Sequence, residues 1–196
     1  MTSVRRVVLW TFVVVAAVTT AAHADPITPS TTGVGLVALG GEVSIYFAGS
    51  DAGFSSQLFL SEPLLKGPYF PNHETVLGTS QALGPFAPGT ELVFMLEVLD
   101  TGDRFLTGPA ARNPDGVVHA ATQPFTGSQQ IPTSGVLVGF EDLFGGGDFD
   151  FDDFNFVASN VALKAEPLPE PGTFVLVGTG VLAALLVTRR RRTGIN

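Results

Sequence analysis

The 196-residue chain contains no cysteine. This absence excludes disulfide bonds, thiol catalysis and cysteine-ligated metal sites. The G-x-S-x-G motif of serine hydrolases and the G-x-x-x-x-G-K motif of phosphate-binding loops are also missing from the sequence. A domain without disulfide bonds depends for its stability on its hydrophobic core or on a bound ion.

Basic residues are scarce in the middle of the chain. Residues 25–168 carry four basic side chains against 17 acidic ones, a balance of −13. Such a charge argues against nucleic acid or anionic lipid as a partner. It suits the binding of cations, or solubility alone.

Helical periodicity is missing before residue 169, and a period of two takes its place. Val43, Ile45 and Phe47 alternate with polar residues, which is typical of a half-buried strand. Glu91–Leu99 is apolar on nearly both faces, which predicts a central strand. Residues 62–90 contain five prolines and four glycines, which favour loops and sheet edges. Eight strands are predicted: Gly33–Leu39, Glu42–Ala48, Gln57–Leu60, Glu91–Leu99, Arg104–Thr107, Val117–Thr122, Gly135–Glu141 and Phe154–Ala162.

These strands predict an all-β fold, an antiparallel β-sandwich or jelly roll, over residues 33–163. The N-terminal segment before them has the features of a signal peptide over residues 1–24. Arg5 and Arg6 precede the apolar run Val7–Val18, and Ala22-His23-Ala24 fits a cleavage site. Residues 25–32 are rich in Pro, Ser and Thr and predict a flexible leader. The expected route is general secretion.

The C-terminal segment has three parts in a fixed order. Pro169-Glu170-Pro171 ends a Pro-rich linker over residues 164–171 and is followed by an uncharged apolar run over residues 172–188. At about 1.5 Å per residue the run is about 26 Å long as a helix, close to the shortest transmembrane span. Four arginines then open a basic tail over residues 189–196: Arg189, Arg190, Arg191 and Arg192. By the positive-inside rule this tail is expected in the cytoplasm.

This arrangement resembles the PEP-CTERM sorting signal of Gram-negative bacteria. The resemblance implies that Pro169, Glu170 and Pro171 are recognised by an exosortase, a membrane-embedded processing enzyme. It further implies that the chain is held transiently in the inner membrane. Removal of the span would then deliver the protein to the cell surface or the extracellular matrix. A permanent membrane anchor is the alternative.

Six carboxylates crowd the segment GFEDLFGGGDFDFDDFNF, residues 139–156, around three consecutive glycines. Closely spaced aspartates on an adaptable loop suit a hard cation such as Ca²⁺, which takes six to eight oxygen ligands. The spacing is not that of an EF-hand, because Asp153 and Ser159 occupy the positions that require Gly and Glu. A solvated acidic loop is the alternative interpretation. The candidate metal ligands are Glu141, Asp142, Asp148, Asp150, Asp152 and Asp153.

Four phenylalanines in this segment give a geometric clue. Phe149 and Phe151 share one parity, and Phe154 and Phe156 share the other. A regular strand cannot place all four rings in one core. Either the chain changes conformation at Asp152-Asp153, or two rings face elsewhere. We expect the change: a loop through Asp152, and a strand from Phe154.

The segments FAGSDAGFSSQLFL, GTELVFMLEVLDTGDRFLTGPAARNPDGVVHA and GFEDLFGGGDFDFDDFNF resemble an exported bacterial domain of unknown function that often precedes PEP-CTERM tails. That family has Phe-Glu-Asp followed by Gly-Gly-x-Asp-x-Asp-Tyr-Asn/Asp-Asp. The chain departs from it at Phe149, where a basic residue is common, and at Phe151, where Tyr is usual. The resemblance implies calcium binding through the acidic loop.

The remaining candidate motif and the histidines are not interpreted as functional sites. Gly33–Ala38 fits a dinucleotide fingerprint but lacks the required strand before it and helix after it, so we interpret it as a strand. His119 is expected to be structural, with Asp103 and Asp115 in nearby turns, and His73 is expected to be exposed. The sequence thus predicts a non-enzymatic surface protein with a calcium site. A carbohydrate-binding adhesin of an exopolysaccharide matrix is the nearest alternative, and an enzyme would need a pocket that unites His119 with carboxylates.

Overall fold

A computed structural model describes residues 31–165. The predicted signal peptide, the proposed span and the sorting residues Pro169–Pro171 and Arg189–Arg192 lie outside these residues. Within the described part, no helix is long and apolar enough to cross a membrane.

The described residues form two antiparallel sheets and one short 3-10 turn at Ala110–Arg112. One sheet has the strand order β1-β9-β10-β11-β3-β6; the other has the order β12-β2-β7-β4-β5, with β8 also paired to β7. The strands are β1 (Thr31–Thr32), β2 (Leu36–Ala38), β3 (Gly41–Gly49), β4 (Ser56–Glu62), β5 (Lys66–Tyr69), β6 (Ser80–Phe86), β7 (Glu91–Val98), β8 (Arg104–Leu106), β9 (Ala120–Phe125), β10 (Gly135–Phe140), β11 (Phe154–Ser159) and β12 (Val161–Leu163).

One apolar cluster joins the two sheets. Strand β3 alternates as predicted, with Val43, Ile45 and Phe47 almost fully buried. Across the interior, Phe94 of β7 packs against Phe156 of β11 with ring centroids 4.7 Å apart. The all-β prediction is therefore confirmed, with two facing antiparallel sheets as in a sandwich.

Several finer predictions are also confirmed. Strand β7 lies inside its sheet, as its two apolar faces predict. The two strands within residues 62–90, β5 and β6, are both edge strands, which fits their prolines. His73 is exposed.

Other strand predictions were wrong. The described part has twelve strands rather than eight, and the last two residues of the predicted leader pair with β9. Strand β9 begins at Ala120, not at Val117, so His119 precedes it. The predicted strand Phe154–Ala162 is two strands in different sheets. Asn160 separates them with a φ of 58°, a left-handed conformation that Asn tolerates better than most residues.

A second apolar cluster covers the outer face of the first sheet. Leu137 of β10 and Val157 of β11 meet Ile131 from the preceding loop and Phe151 from the acidic loop. Strands β10 and β11 form an antiparallel hairpin that closes on the pair Phe140 and Phe154. The acidic loop, residues 141–153, is the connection of this hairpin.

Candidate metal centre

Two neighbouring segments, the β3–β4 connection and the segment before β9, hold the acidic loop in place. From the β3–β4 connection, the Ser50 hydroxyl donates to the Asp153 carbonyl at 2.5 Å, and Asp51 N donates to the Asp152 carbonyl at 3.0 Å. Glu141 N donates to the His119 carbonyl at 3.0 Å. Gly145 N donates to Asp115 Oδ2 at 2.8 Å. The loop therefore has a defined shape although it contains no regular strand.

Glu141 is the first residue after β10, and its side chain turns into the loop. The residue is fully buried. Its Oε1 accepts a hydrogen bond from Phe151 N at 2.6 Å. Its Oε2 is also buried and has no hydrogen-bond partner among the described residues. Buried polar atoms are almost always bonded, so this oxygen requires an explanation, such as a proton or an ion.

Two further carboxylates approach Glu141. One ligand oxygen from each of Glu141, Asp148 and Asp150 lies within 4.8 Å of the other two. Glu141 is buried, Asp150 is half-buried and Asp148 is exposed, so the cluster opens to solvent on the aspartate side. The described cluster contains only oxygen donors, which suit a hard cation.

An unusual backbone makes this approach possible. Phe149 and Phe151 have φ values of 63° and 54°, in the left-handed region that non-glycine residues rarely adopt. Gly147 also has a positive φ, and a Cβ there would lie 2.5 Å from Glu141 Oε2. The loop therefore folds closely around the Glu141 carboxylate. Strained conformations of this kind collect at functional sites.

Four carboxyl groups of the loop, those of Glu141, Asp142, Asp152 and Asp153, have raised pKa values. Burial raises the pKa of Glu141 to about 7, together with the charges of Asp153 and Asp148 and against the backbone hydrogen bonds from Phe151 and, more weakly, Phe149. Burial and the neighbouring Asp153 raise the pKa of Asp142 to about 7. Burial and the contact with Asp150 raise the pKa of Asp152 to about 7. Near neutral pH the loop must therefore hold protons or a cation.

The other three predicted ligands lie outside the three-carboxylate group. Asp142 N donates to Asp153 Oδ2 at 2.9 Å, and the two side chains are also hydrogen-bonded to each other. Burial raises the pKa of Asp153 as well. Asp152 is nearly buried and is hydrogen-bonded to Asp150. The structure thus brings together three of the six predicted ligands and arranges the others beside them.

Asp115 and His119 hold the acidic loop through hydrogen bonds to Gly145 N and to the Glu141 carbonyl. The fully buried His119 ring places Nε2 2.7 Å from Asp115 Oδ2 and Nδ1 3.1 Å from the Glu141 carbonyl, and it stacks on Phe105. Both nitrogens donate when the ring is protonated. Burial would raise the pKa of Asp115, but hydrogen bonds from Gly145 N, His119 and Val117 N lower it to about 2. His119 thus occupies a structural position, as predicted.

The sequence did not predict that these two residues hold the loop. Their spacing of four is the only local signal, and the contacts to Gly145 and Glu141 span 22 or more positions. Asp100 was also missed: its charge acts on Asp142 from the β7–β8 turn. These residues are far apart in sequence. They meet because the connections that carry them lie at the same end of the two sheets.

The four phenylalanines between residues 149 and 156 show both predicted outcomes: a change of conformation before Phe154, and two rings outside the main core. The chain does change from loop to strand before Phe154, and Phe154 and Phe156 are fully buried in the main core. Phe151 instead packs into the second cluster, and Phe149 is about half exposed. Two rings therefore do face elsewhere.

The arrangement can bind a hard cation through two or more carboxylates while a half-exposed side remains open to water or to another oxygen ligand.

Comparisons of the chain with family models, with curated proteins and with solved structures give no significant match.

Proposed function

We propose that this chain is an exported, non-enzymatic β-sandwich module that binds calcium between Glu141, Asp148 and Asp150. The observation that carries the proposal is the buried Glu141 carboxylate: its Oε2 lacks a hydrogen-bond partner in the described part, and one of its oxygens lies within 4.8 Å of a carboxylate oxygen of Asp148 and of Asp150. Leaving a buried carboxylate oxygen unsatisfied costs stability. A cation bound there removes that cost and also offsets the repulsion of the neighbouring aspartates.

Calcium fits this group better than other common metals. The oxygen-only donors and the absence of cysteine disfavour soft ions. Magnesium needs a near-ideal octahedral shell, whereas calcium accepts six to eight oxygens in irregular geometry. An irregular loop with positive-φ residues supplies the second kind of site.

The decisive experiment is a calcium titration of the full chain, purified in a non-ionic detergent. Calorimetry should report a saturable heat, and at about 100 times the dissociation constant the folded state should gain roughly 2.7 kcal/mol in a thermal melt. Magnesium at equal ionic strength is the control for screening. If millimolar calcium produces neither heat nor a melting shift beyond that of magnesium, the loop is only a solvated acidic surface.

For sorting, we propose that the chain is delivered by an exosortase-type enzyme. The support is the order of Pro169-Glu170-Pro171, the apolar run and Arg189–Arg192. The final location would be the cell surface or the extracellular matrix. Mass spectrometry of the mature C-terminus tests this: a protein that keeps Arg189–Arg192 is a permanently anchored protein instead.

The alternatives are less well supported. A carbohydrate-binding adhesin of an exopolysaccharide matrix needs exposed aromatic rings in a groove. Tyr46 and Tyr69 pack partly against the two apolar clusters, and the exposed rings of Phe144 and Phe149 belong to the acidic loop itself. An enzyme that uses His119 with nearby carboxylates needs this ring in an accessible pocket, but His119 is fully buried with both ring nitrogens engaged. These contacts support the non-enzymatic proposal.

A further inference from the structure

One end of the molecule combines acidic and apolar groups. The acidic loop, the β3–β4 connection and the β7–β8 turn meet there: Leu99 N donates to the Ser55 carbonyl at 2.7 Å, and Ser55 N donates to Asp100 Oδ2 at 2.5 Å. Half of the large apolar side chains that the described part exposes lie at this end. They are Leu99 (52% exposed), Leu143 (46%), Phe144 (62%) and Phe149 (49%).

Three of these apolar side chains lie next to the proposed ligands along the chain. Leu143 and Phe144 lie between the ligands Glu141 and Asp148, and Phe149 lies between Asp148 and Asp150. The ring of Phe149 packs over Gly146 of the same loop. Exposed apolar groups gathered in one place mark an interaction surface. Here Leu143, Phe144 and Phe149 belong to the same loop as the exposed ligand Asp148.

The charge of this end restricts the partner. The four basic side chains of the described residues contact other groups: Arg104 binds Glu97, Arg112 and Lys164 bind Glu91, and Lys66 donates to the Leu83 carbonyl. An anionic surface is therefore repelled when the loop is ion-free. A bound calcium ion reverses this locally, because it lowers the negative charge and has coordination positions left for an outside oxygen.

We propose that the end of the molecule around residues 99 and 143–149 docks on an anionic lipid surface through calcium. The inference rests on the proposed calcium site. A headgroup phosphate would complete the coordination of the ion, while Phe144 and its neighbours enter the interface between headgroups and acyl chains, where aromatic and aliphatic side chains are stabilised. An acidic polysaccharide offers the oxygen ligand but no apolar phase for these side chains, so the combination favours lipid.

The test places a fluorescent reporter on the loop of the full chain. Phe144→Trp is made in a Trp10→Phe background, so that residue 144 carries the single tryptophan. The protein is reconstituted with vesicles of phosphatidylcholine, with or without phosphatidylglycerol, using brominated lipids as quenchers. The apolar terminal segments are the same in every arm. We expect quenching to rise when calcium is added to the anionic vesicles and to reverse with a chelator, with a much smaller change in neutral vesicles.

A matched control uses Leu65→Trp in the same background, because Leu65 is equally exposed (63%) and follows β4 at its other end. This reporter should not respond to calcium. Calcium binding in calorimetry without quenching at residue 144 overturns the lipid inference and leaves the calcium site intact; no calcium binding overturns both. A calcium-dependent blue shift without bromine quenching means that a second copy covers the loop, and it also overturns the lipid inference.

Discussion

At the scale of single residues, Glu141 decides the chemistry of the site. One carboxylate oxygen is bound to Phe151 N, and the other has no partner in the described structure. A buried carboxylate in this situation either takes up a proton or attracts a cation. Its pKa of about 7 means that the protonated and the ionised forms of the carboxyl are close in free energy near neutral pH.

This balance predicts an opposite effect of Glu141→Gln on stability and on binding. The amide keeps the acceptor for Phe151 N but removes the buried charge. Since a pKa raised from 4.5 to about 7 is worth roughly 3 kcal/mol when the group is ionised, the ion-free variant should be more stable than the wild type above pH 7, by up to about that amount. Calorimetry should show that calcium binding is lost. Urea unfolding with and without calcium measures both effects.

The control is Glu74→Gln, the same chemical change at an exposed residue outside the loop. It should leave stability and calcium binding within experimental error. If Glu141→Gln keeps wild-type calcium affinity, Glu141 is not a ligand.

The sequence predicted the six acidic candidates but not which of them converge. Ligand selection depends on the hairpin: the register pairs Phe140 with Phe154, which places Glu141 at the root of the loop and folds Asp148 and Asp150 back over it. Asp142 and Asp153 lie just inside the loop from the same closing pair and are hydrogen-bonded to each other. The spacing of the acidic residues in the sequence does not show that the loop folds Asp148 and Asp150 back towards Glu141.

At the scale of elements, the loop depends on positive-φ residues rather than on a repeating pattern. Gly145 and Gly147 have φ values of 91° and 58°, and they differ in what surrounds them. A Cβ on Gly145 meets nothing within 4 Å, whereas a Cβ on Gly147 meets Glu141 Oε2. Substitutions at these two glycines therefore distinguish the effect of backbone strain from the effect of a steric clash with the Glu141 carboxylate.

We predict that Gly147→Ala strongly weakens calcium binding and that Gly145→Ala does so much less. Both substitutions place a side chain at a positive φ and should lower stability by about 1 to 3 kcal/mol. Only Gly147→Ala pushes the Glu141 carboxylate out of place. Calorimetric titration of both variants, beside their melting temperatures, distinguishes the two effects. Equal losses of affinity would show that loop strain alone controls binding.

Element boundaries were predictable where burial alternates. The period-two pattern predicted strand β3 correctly, because one face of the strand meets the core and the other meets solvent. The crossing at Asn160 was not predictable, because β11 and β12 are both rich in apolar residues and alternation gives no sign of a change of sheet. Strand β1 was missed because two threonines in a Pro-rich segment form a strand only when β9 is beside them.

At the scale of the whole molecule, acidity and fold combine to make stability depend on pH. Glu141, Asp142 and Asp152 have ordinary pKa values of 4.5, 3.8 and 3.8, and each rises to about 7 in the folded protein. The folded state therefore binds more protons than the unfolded chain between about pH 4 and pH 7. Asp115 acts in the opposite direction, since its lowered pKa of about 2 stabilises the fold above about pH 4.

The sign of the pH effect follows from these shifts. The contribution of the three raised carboxyls is complete below about pH 4 and is lost as the pH rises through about 7. The contribution of Asp115 is lost as the pH falls from about 4 towards 2. The ion-free protein should thus be most stable near pH 4 to 5, and its free energy of unfolding should decline up to about pH 7 and level off above it.

Calcium should oppose this decline, because it competes with the same protons for the same oxygens. The stabilisation by a fixed calcium concentration should therefore be small at about pH 5 and should grow up to about pH 8. Chemical denaturation of the full chain across this range, once after removal of metal ions and once in saturating calcium, tests the coupling. A calcium effect that does not change with pH would mean that the ion binds at exposed carboxylates already ionised at pH 5, and that the buried Glu141 is not part of its site.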